Sequence, residues 1–362
     1  MARSLSNGGD SLPARRADRL TVGLFIPVSG AAGIWGPSCR ACAELAAAEL
    51  NARGGIAGRE VVFRIVDAGG DPLEVSAVAD VLIDEGEIDA IVGMHTSDVR
   101  AALARTVSGV VPYVYTPLYE GGERHPGVFC IGETPEQQLL PGLDWLAERY
   151  RARSWYLIGN DYVWPRTIHG ILRRHFAFQQ RAIVGETYVP FGTEEVEPLI
   201  ERIRAARPDA VLVSMVGQDS VVFNRAFGRA GLGGKILRFS CAVEENMLLG
   251  MGEANVEGVF AAAGYFGVVE SRSNGSFLER FQQRFGDRGP TLNTIGQNVY
   301  EGVHFLMGLS VSAQGRDWRS SVGPIPMRGV RGAMFGSDRI SRAPMYLAEA
   351  QGYEFRIRKT FL

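Results

Sequence analysis

Four short apolar runs, each closed by a polar loop, recur in the same order in two parts of this chain. The first set is LTVGLFIPVSG from Leu20, FRIVDAGGDP from Phe63, DAIVGMHTSDVRAAL from Asp89 and VPYVYTP from Val111. The second set is RSWYLIGNDYVW from Arg153, GETYVPFGTE from Gly185, DAVLVSMVGQDSVVF from Asp209 and ILRFSCAVE from Ile236. Helix-length stretches separate the runs. Strand–helix alternation at this spacing predicts right-handed βαβ units and parallel sheets. The period far exceeds the ~20–50 residues of a stacked repeat array. The expectation is therefore two Rossmann-like lobes of α/β class, each offering its strand-end loops to a shared crevice. In open α/β sheets, ligands bind at that carboxyl edge.

The stretch from Ile91 to Gly122 shows what such an edge carries. A strand ends at Val92, a loop runs from Gly93 to Ser97, and Ser97 or Asp98 is placed to cap the next helix. A second strand, Val110 to Tyr115, follows it. His95, Thr96, Ser97, Tyr115, Thr116 and Tyr119 fall at these two strand ends. Hydroxyls and rings there suit a small polar ligand, and they are equally ordinary for surface loops. The Gly-rich loop from Val28 to Pro37 holds Trp35, which either packs on the rim or touches ligand. In the second half the matching loops are Asn160 to Pro165 and Val216 to Ser220.

The remainder supplies crossovers. A strand from Gly258 to Phe266, helices over Gly275–Phe285 and Thr294–Ser312, and a hairpin pairing Met327–Met334 with Tyr346–Ile357 are expected. A chain that leaves the first lobe near Ile131, returns near Ala263 and leaves again near Gly323 makes a three-strand hinge. That division assigns 19–132 plus 263–323 to one lobe and 133–262 plus 324–362 to the other, with the ligand cleft between them.

Composition excludes several classes. A formal net charge of −2 over 362 residues argues against direct nucleic-acid binding. Cys39 and Cys42 have redox-motif spacing, yet the alanine-rich context reads as two buried helix cysteines. The five histidines lack metal-ligand spacing, and no cofactor is expected. GRAGLGGK from Gly228 fails the phosphate-loop spacing, and Asp71 before Pro72 reads as a turn cap. No catalytic constellation emerges, so the expectation is a non-enzyme. Residues 1–18 read as a disordered tail without an apolar leader region, which predicts a cytoplasmic protein; the alternative is a periplasmic one whose leader is not in view. No run approaches the ~18 apolar residues of a membrane helix.

Several segments carry a resemblance. FIPVSGAAGIWGPSCRACAELAAAELNARGGIAGREV is similar to the opening of type I periplasmic binding proteins, including the receptors for leucine, isoleucine and valine. YTPLYEG from Tyr115, GNDYVWPR from Gly159 and AVLVSMVGQ from Ala210 resemble the amide receptor that regulates aliphatic amidase expression, and its urea-transport relatives. The resemblance implies a ligand site at His95, Ser97, Tyr115, Pro117, Leu118, Tyr162, Trp164 and Ala242, to which Trp35 is added from the loop argument. It also implies departures: the family usually has tyrosine at His95 and Trp164, threonines at Pro117 and Ala242, and proline at Leu118. The implied function is a cytoplasmic sensor of short-chain amides or urea-like molecules that acts on an RNA-binding antiterminator. The alternative is the substrate-binding protein of an ABC importer, with a permease as partner and amides, urea or branched-chain amino acids as ligands. A homo-oligomer is compatible with either.

Overall fold

The computed structural model describes residues 18–361 except 315, 322, 323, 327 and 328. The tail expected over 1–18 thus lies outside the described residues, apart from Asp18, whose carbonyl accepts from Glu60 N. Strands β1 (Arg19–Ile26), β2 (Glu60–Asp67), β3 (Ala90–Gly93), β4 (Tyr113–Tyr115) and β5 (Val128–Cys130) form one sheet in the order β2-β1-β3-β4-β5. Every pairing in it is parallel. Helices α1 (Gly36–Asn51), α2 (Pro72–Asp84) and α3 (Ser97–Val107) make its crossovers. The apolar run of β1 ends in five consecutive buried residues, as a strand covered on both faces requires. Asp71 caps α2 by accepting from Leu73 N and Glu74 N. The cap expected of Ser97 or Asp98 is not made: Thr96 is the N-cap of α3, without a side-chain bond. Asp98 instead accepts from its neighbour Val99 N.

The second lobe follows α4 (Leu139–Tyr150). It contains β6 (Ser154–Asn160), α5 (Val163–Gln179), β7 (Ala182–Val189), α6 (Glu197–Ala206), β8 (Ala210–Ser214), α7 (Gly217–Arg229), β9 (Leu237–Ser240), α8 (Glu245–Met251) and β10 (Val259–Ala263). Helices α9 (Arg272–Phe285) and α10 (Thr294–Ser312) return to the first lobe. Short strands β11 (Ile325–Pro326), β12 (Met334–Phe335) and β13 (Ser341–Arg342) form a separate sheet. A hairpin of β14 (Met345–Gln351) and β15 (Glu354–Phe361) completes the larger sheet, ordered β15-β14-β10-β9-β8-β6-β7. Its strands are parallel from β7 through β10 and antiparallel beyond. Among the described residues, no helix is long and apolar enough to cross a membrane.

Two boundaries differ from expectation. The terminal hairpin pairs Met345–Gln351 with Glu354–Phe361, without the segment ending at Met334; Met327 of that segment lies outside the described residues. Phe335, in the segment expected in the second lobe, sits against the first. The Phe335 ring stands 5.3 Å from Phe305 and 5.9 Å from Phe129. Burying that phenylalanine holds the small sheet there, and the third crossing between lobes comes only after Arg342.

The crossings share one buried ion group. Arg331 Nε and Nη2 donate to Glu301 Oε2 of α10 at 2.9 and 2.6 Å, and Nη1 pairs with Glu133 on the first crossing. The three side chains are between 0 and 6% exposed. Gly264, on the second crossing, runs so close that a Cβ there would overlap Glu133 and Arg331. Removing the cation would leave two carboxylates buried and unpaired. Arg331→Ala is expected to destabilise the protein by about 3–5 kcal/mol, measured by urea denaturation at pH 7.

Candidate functional site

Helices that follow parallel strands begin at the carboxyl edge of the sheet, so the starts of α3, α5 and α7 all reach the cleft. Their N-caps are Thr96, Tyr162 and Val216, and no side chain caps any of the three. All three residues line one cavity of about 370 Å³, part of which opens to solvent. The lining also includes Trp35, Met94, His95, Ser97, Tyr115, Pro117, Leu118, Trp164, Ala242 and Ile295. The structure thus gathers all nine sequence-derived site residues around a single space.

The first lobe supplies a rigid polar corner. His95 is buried, with Nδ1 3.1 Å from the Thr96 carbonyl and Nε2 2.9 Å from the Tyr113 hydroxyl. A carbonyl only accepts, so Nδ1 carries the proton and Nε2 accepts from Tyr113. Burial pushes the imidazole pKa down to about 3, with the Arg100 charge adding to the effect, so the ring is neutral at ordinary pH. Tyr115 Oη donates to the His95 carbonyl at 2.9 Å. Burial, ahead of all other causes, raises the Tyr115 phenol far above its usual range, while a hydrogen bond with Ser97 acts in the opposite sense. Ser97 is itself the first residue of α3, so the cap position falls to Thr96. Arg100, one turn along α3, lies 5.7 Å from the Tyr115 ring centroid. It pairs with Glu120 at 3.0 Å and with Glu123, so its charge is spent outside the cavity.

The second lobe supplies a mostly apolar wall. Tyr162 and Trp164 stand with ring centroids 6.5 Å apart, and Phe191 backs Tyr162 at 5.0 Å. Trp164 was expected in a loop; it occupies the first turn of α5, which starts at Val163. Asn160, at the end of β6, fixes the opposite side by accepting from Val216 N at 2.9 Å and donating to Asp219 at 2.7 Å. Asp67 anchors the Gly-rich loop through bonds from Val28 N, Ser29 N and Gly69 N. Downstream of that anchor, the 3-10 turn Ala31–Trp35 brings the indole into the lining.

Four lining residues lie outside the nine assigned to the site, although the sequence places Thr96 and the loop that Val216 opens at the strand ends. Met94 and Thr96 flank His95 on the same strand-end loop, and Val216 opens the matching loop of the second lobe. Ile295 comes from α10, which enters the cleft only because the chain returns across the hinge; nothing local marks it. The acidic residues Glu120 and Glu244 do not line the cavity. Glu244 is 2% exposed, and burial raises its pKa well above the usual carboxylate range. Cys39 and Cys42 are free and buried on α1. Among the described residues, no group of three or more His, Cys, Asp or Glu side chains is arranged to hold a metal.

Known proteins are similar to this chain in sequence or in fold. A Leu/Ile/Val-binding protein of Rhizobium johnstonii is 34% identical over 105 residues, covering 29% of this chain and 28% of that relative. That match spans little more than a quarter of the relative's length. A Leu/Ile/Val-binding protein homolog of Brucella melitensis is 23% identical over 332 residues, 86% of this chain and 84% of the relative. The solute-binding protein of an ABC transporter from Rhodopseudomonas palustris, solved with p-hydroxybenzoic acid, superposes with a TM-score of 0.85 at 21% identity, covering 95% of this chain and 97% of the other. A branched-chain amino acid binding protein from Streptococcus pneumoniae, solved with isoleucine, gives 0.79 at 16% identity over 94% and 98%. The sequence profile of the periplasmic binding proteins matches residues 19–353, and with two lobes, parallel sheets and a cleft at their carboxyl edges, the chain belongs to that family in its type I form.

Proposed function

We propose that this protein is the non-enzymatic substrate-binding component of an ABC importer, working in the periplasm, and that it carries a small, largely apolar molecule with one acceptor-rich end. An aromatic monocarboxylate is the ligand class that fits best. The observation that carries this reading is the lining itself: four large aromatic side chains and not one Asp, Glu, Lys or Arg among thirteen residues. An α-amino acid would bring an ammonium with no counter-ion, and a buried unpaired charge costs several kcal/mol. A carboxylate or carbonyl, by contrast, meets the N–H groups at three uncapped helix starts and the positive ends of their dipoles. The aromatic acids seen in R. palustris solute-binding proteins of the same fold fit this chemistry.

The relatives named here favour the importer over a cytoplasmic amide sensor with an antiterminator. The amide reading keeps Ser97, Tyr115 and Tyr162 in its support. The exchange of two family hydroxyls for Pro117 and Ala242, and the wider ring at Trp164, count against a ligand as small as acetamide.

Ligand class is tested by thermal shift with benzoate, 4-hydroxybenzoate, benzamide, acetamide and leucine. The aromatic carboxylates should raise the melting temperature most, since stabilisation grows as RT ln(1 + [L]/Kd) and reaches about 2.7 kcal/mol at a hundredfold excess over Kd. A shift with leucine alone would remove the aromatic-acid reading. Tyr162 is half-buried and is a gentler probe of the wall than Tyr115 or Trp164, which are 1% and 4% exposed. Tyr162→Ala should weaken benzoate binding about tenfold by calorimetry, with little change in the unliganded melting temperature.

His95 gives a pH dependence of stability. Its folded pKa is about 3, below the ~6.5 of an unfolded histidine, so between these values the unfolded chain binds the extra proton. Its contribution is therefore complete above about pH 6.5 and is lost as pH falls toward 3. Denaturation midpoints measured from pH 7 to pH 4 should fall with a slope that His95→Asn reduces by up to about 1.4 kcal/mol per pH unit.

A further inference from the structure

Several buried polar side-chain atoms have no hydrogen-bond partner among the described residues, and only Trp35 Nε1 belongs to a residue that lines the cavity. The indole is 4% exposed, and a buried donor left unpaired forfeits the water it gave up on burial. The turn that carries it has other commitments. Gly33 N donates to the Gly30 carbonyl at 3.0 Å. Asn246 Nδ2 of α8, in the second lobe, donates to the Ile34 carbonyl at 3.1 Å. Asn246 Oδ1 in turn accepts from Asn293 Nδ2 at 3.0 Å, at the start of α10. Gly217, the first residue of α7, lies so close to the Ala31 carbonyl that a Cβ would overlap it, and its φ of +52° also favours glycine. The turn Ala31–Trp35 therefore belongs to the first lobe by sequence and is clasped by the second. In this structure those contacts join the turn to the second lobe, and Trp35, which carries the unpartnered N–H, lines the cavity.

We propose that the Ala31–Trp35 turn is a closure latch in which the Trp35 indole N–H donates to an oxygen acceptor of the bound molecule, so that the closed state selects acceptor-bearing aromatics over hydrocarbons of the same shape. This rests on the ligand-binding role assigned to the cavity. Asn246 and Gly217 hold the latch whatever the ligand; Trp35 reads its chemistry. A hydrocarbon filling the same space would leave the donor unmet, whereas a carboxylate or amide oxygen would satisfy it.

The test titrates benzoate, benzamide and ethylbenzene into the full chain and into Trp35→Phe and Asn246→Ala by calorimetry. Trp35→Phe keeps an aromatic ring and removes the N–H. It should weaken benzoate and benzamide about tenfold or more and leave ethylbenzene within about twofold. Asn246→Ala should weaken all three by a similar factor, because it acts on closure alone. Equal affinity of Trp35→Phe and the parent for benzoate and benzamide overturns the proposal, as does a uniform loss across all three probes. If the parent binds leucine and none of the aromatics, the ligand class proposed above falls. Trp35 is then judged with leucine, whose carboxylate is also an acceptor: a loss in Trp35→Phe supports the latch donor, and no loss overturns it. If the parent binds no probe, the unliganded melting temperature decides. An unpaired N–H predicts that Trp35→Phe melts at or above the parent, and a fall of several degrees (about 1 kcal/mol or more) assigns the N–H to the fold and overturns the proposal.

Discussion

The chain passes between its lobes three times, and the buried ion group around Arg331 ties those passages together. Glu133 lies on the first, Gly264 presses against the pair from the second, and Arg331 precedes the third while gripping Glu301 on α10. A charge cluster this dry tolerates little displacement, since the desolvation already incurred is offset only while the geometry holds. The group thereby fixes the three passages relative to one another in this structure.

Parallel topology does the rest of the positioning. Each crossover helix starts where its strand stops, so helix starts accumulate in the cleft without any dedicated device. Three helix starts are closed by side chains, with Asp71 on α2, Ser271 on α9 and Asn293 on α10 accepting from the first turn, whereas α1, α4, α6 and α8 start without one. At the cavity, Thr96, Tyr162 and Val216 supply none either. Lack of a side-chain cap is therefore not special to the cavity; what distinguishes these three starts is that their N-cap residues line it.

Much of this was legible in the residues. The repeated strand–loop–helix order predicted two parallel-sheet lobes, and the strand-end positions of Ser97, Tyr115 and Tyr162 pointed to the cleft, because period-two and helical patterns are local. What the residues could not reveal was long-range. Ile295 reaches the cavity from a helix nearly two hundred residues beyond Thr96 in the chain. Phe335 joined the first lobe by packing on Phe129 and Phe305, a choice no local pattern encodes. The start of α5 was placed too late, since Pro165 looked like the end of a loop and is instead accommodated in the helix's first turn. The Met94 and Val216 side chains are apolar and gave no chemical signal.

The four cysteines are all free, all buried, and all have thiols pushed above their usual range by burial. Thiolate is the species that attacks disulfides and is oxidised, so these sulfurs are poor partners for exchange chemistry while the fold is intact. Cys39 and Cys42 sit one turn apart on α1, where a bridge would constrain only the helix that already holds them. The folded chain is consequently indifferent to the redox poise around it: a reducing compartment removes nothing from it, and an oxidising one has nothing accessible to crosslink. The vulnerable interval is the unfolded one, when all four thiols are exposed at once, and a protein of this kind benefits from folding before oxidants reach it.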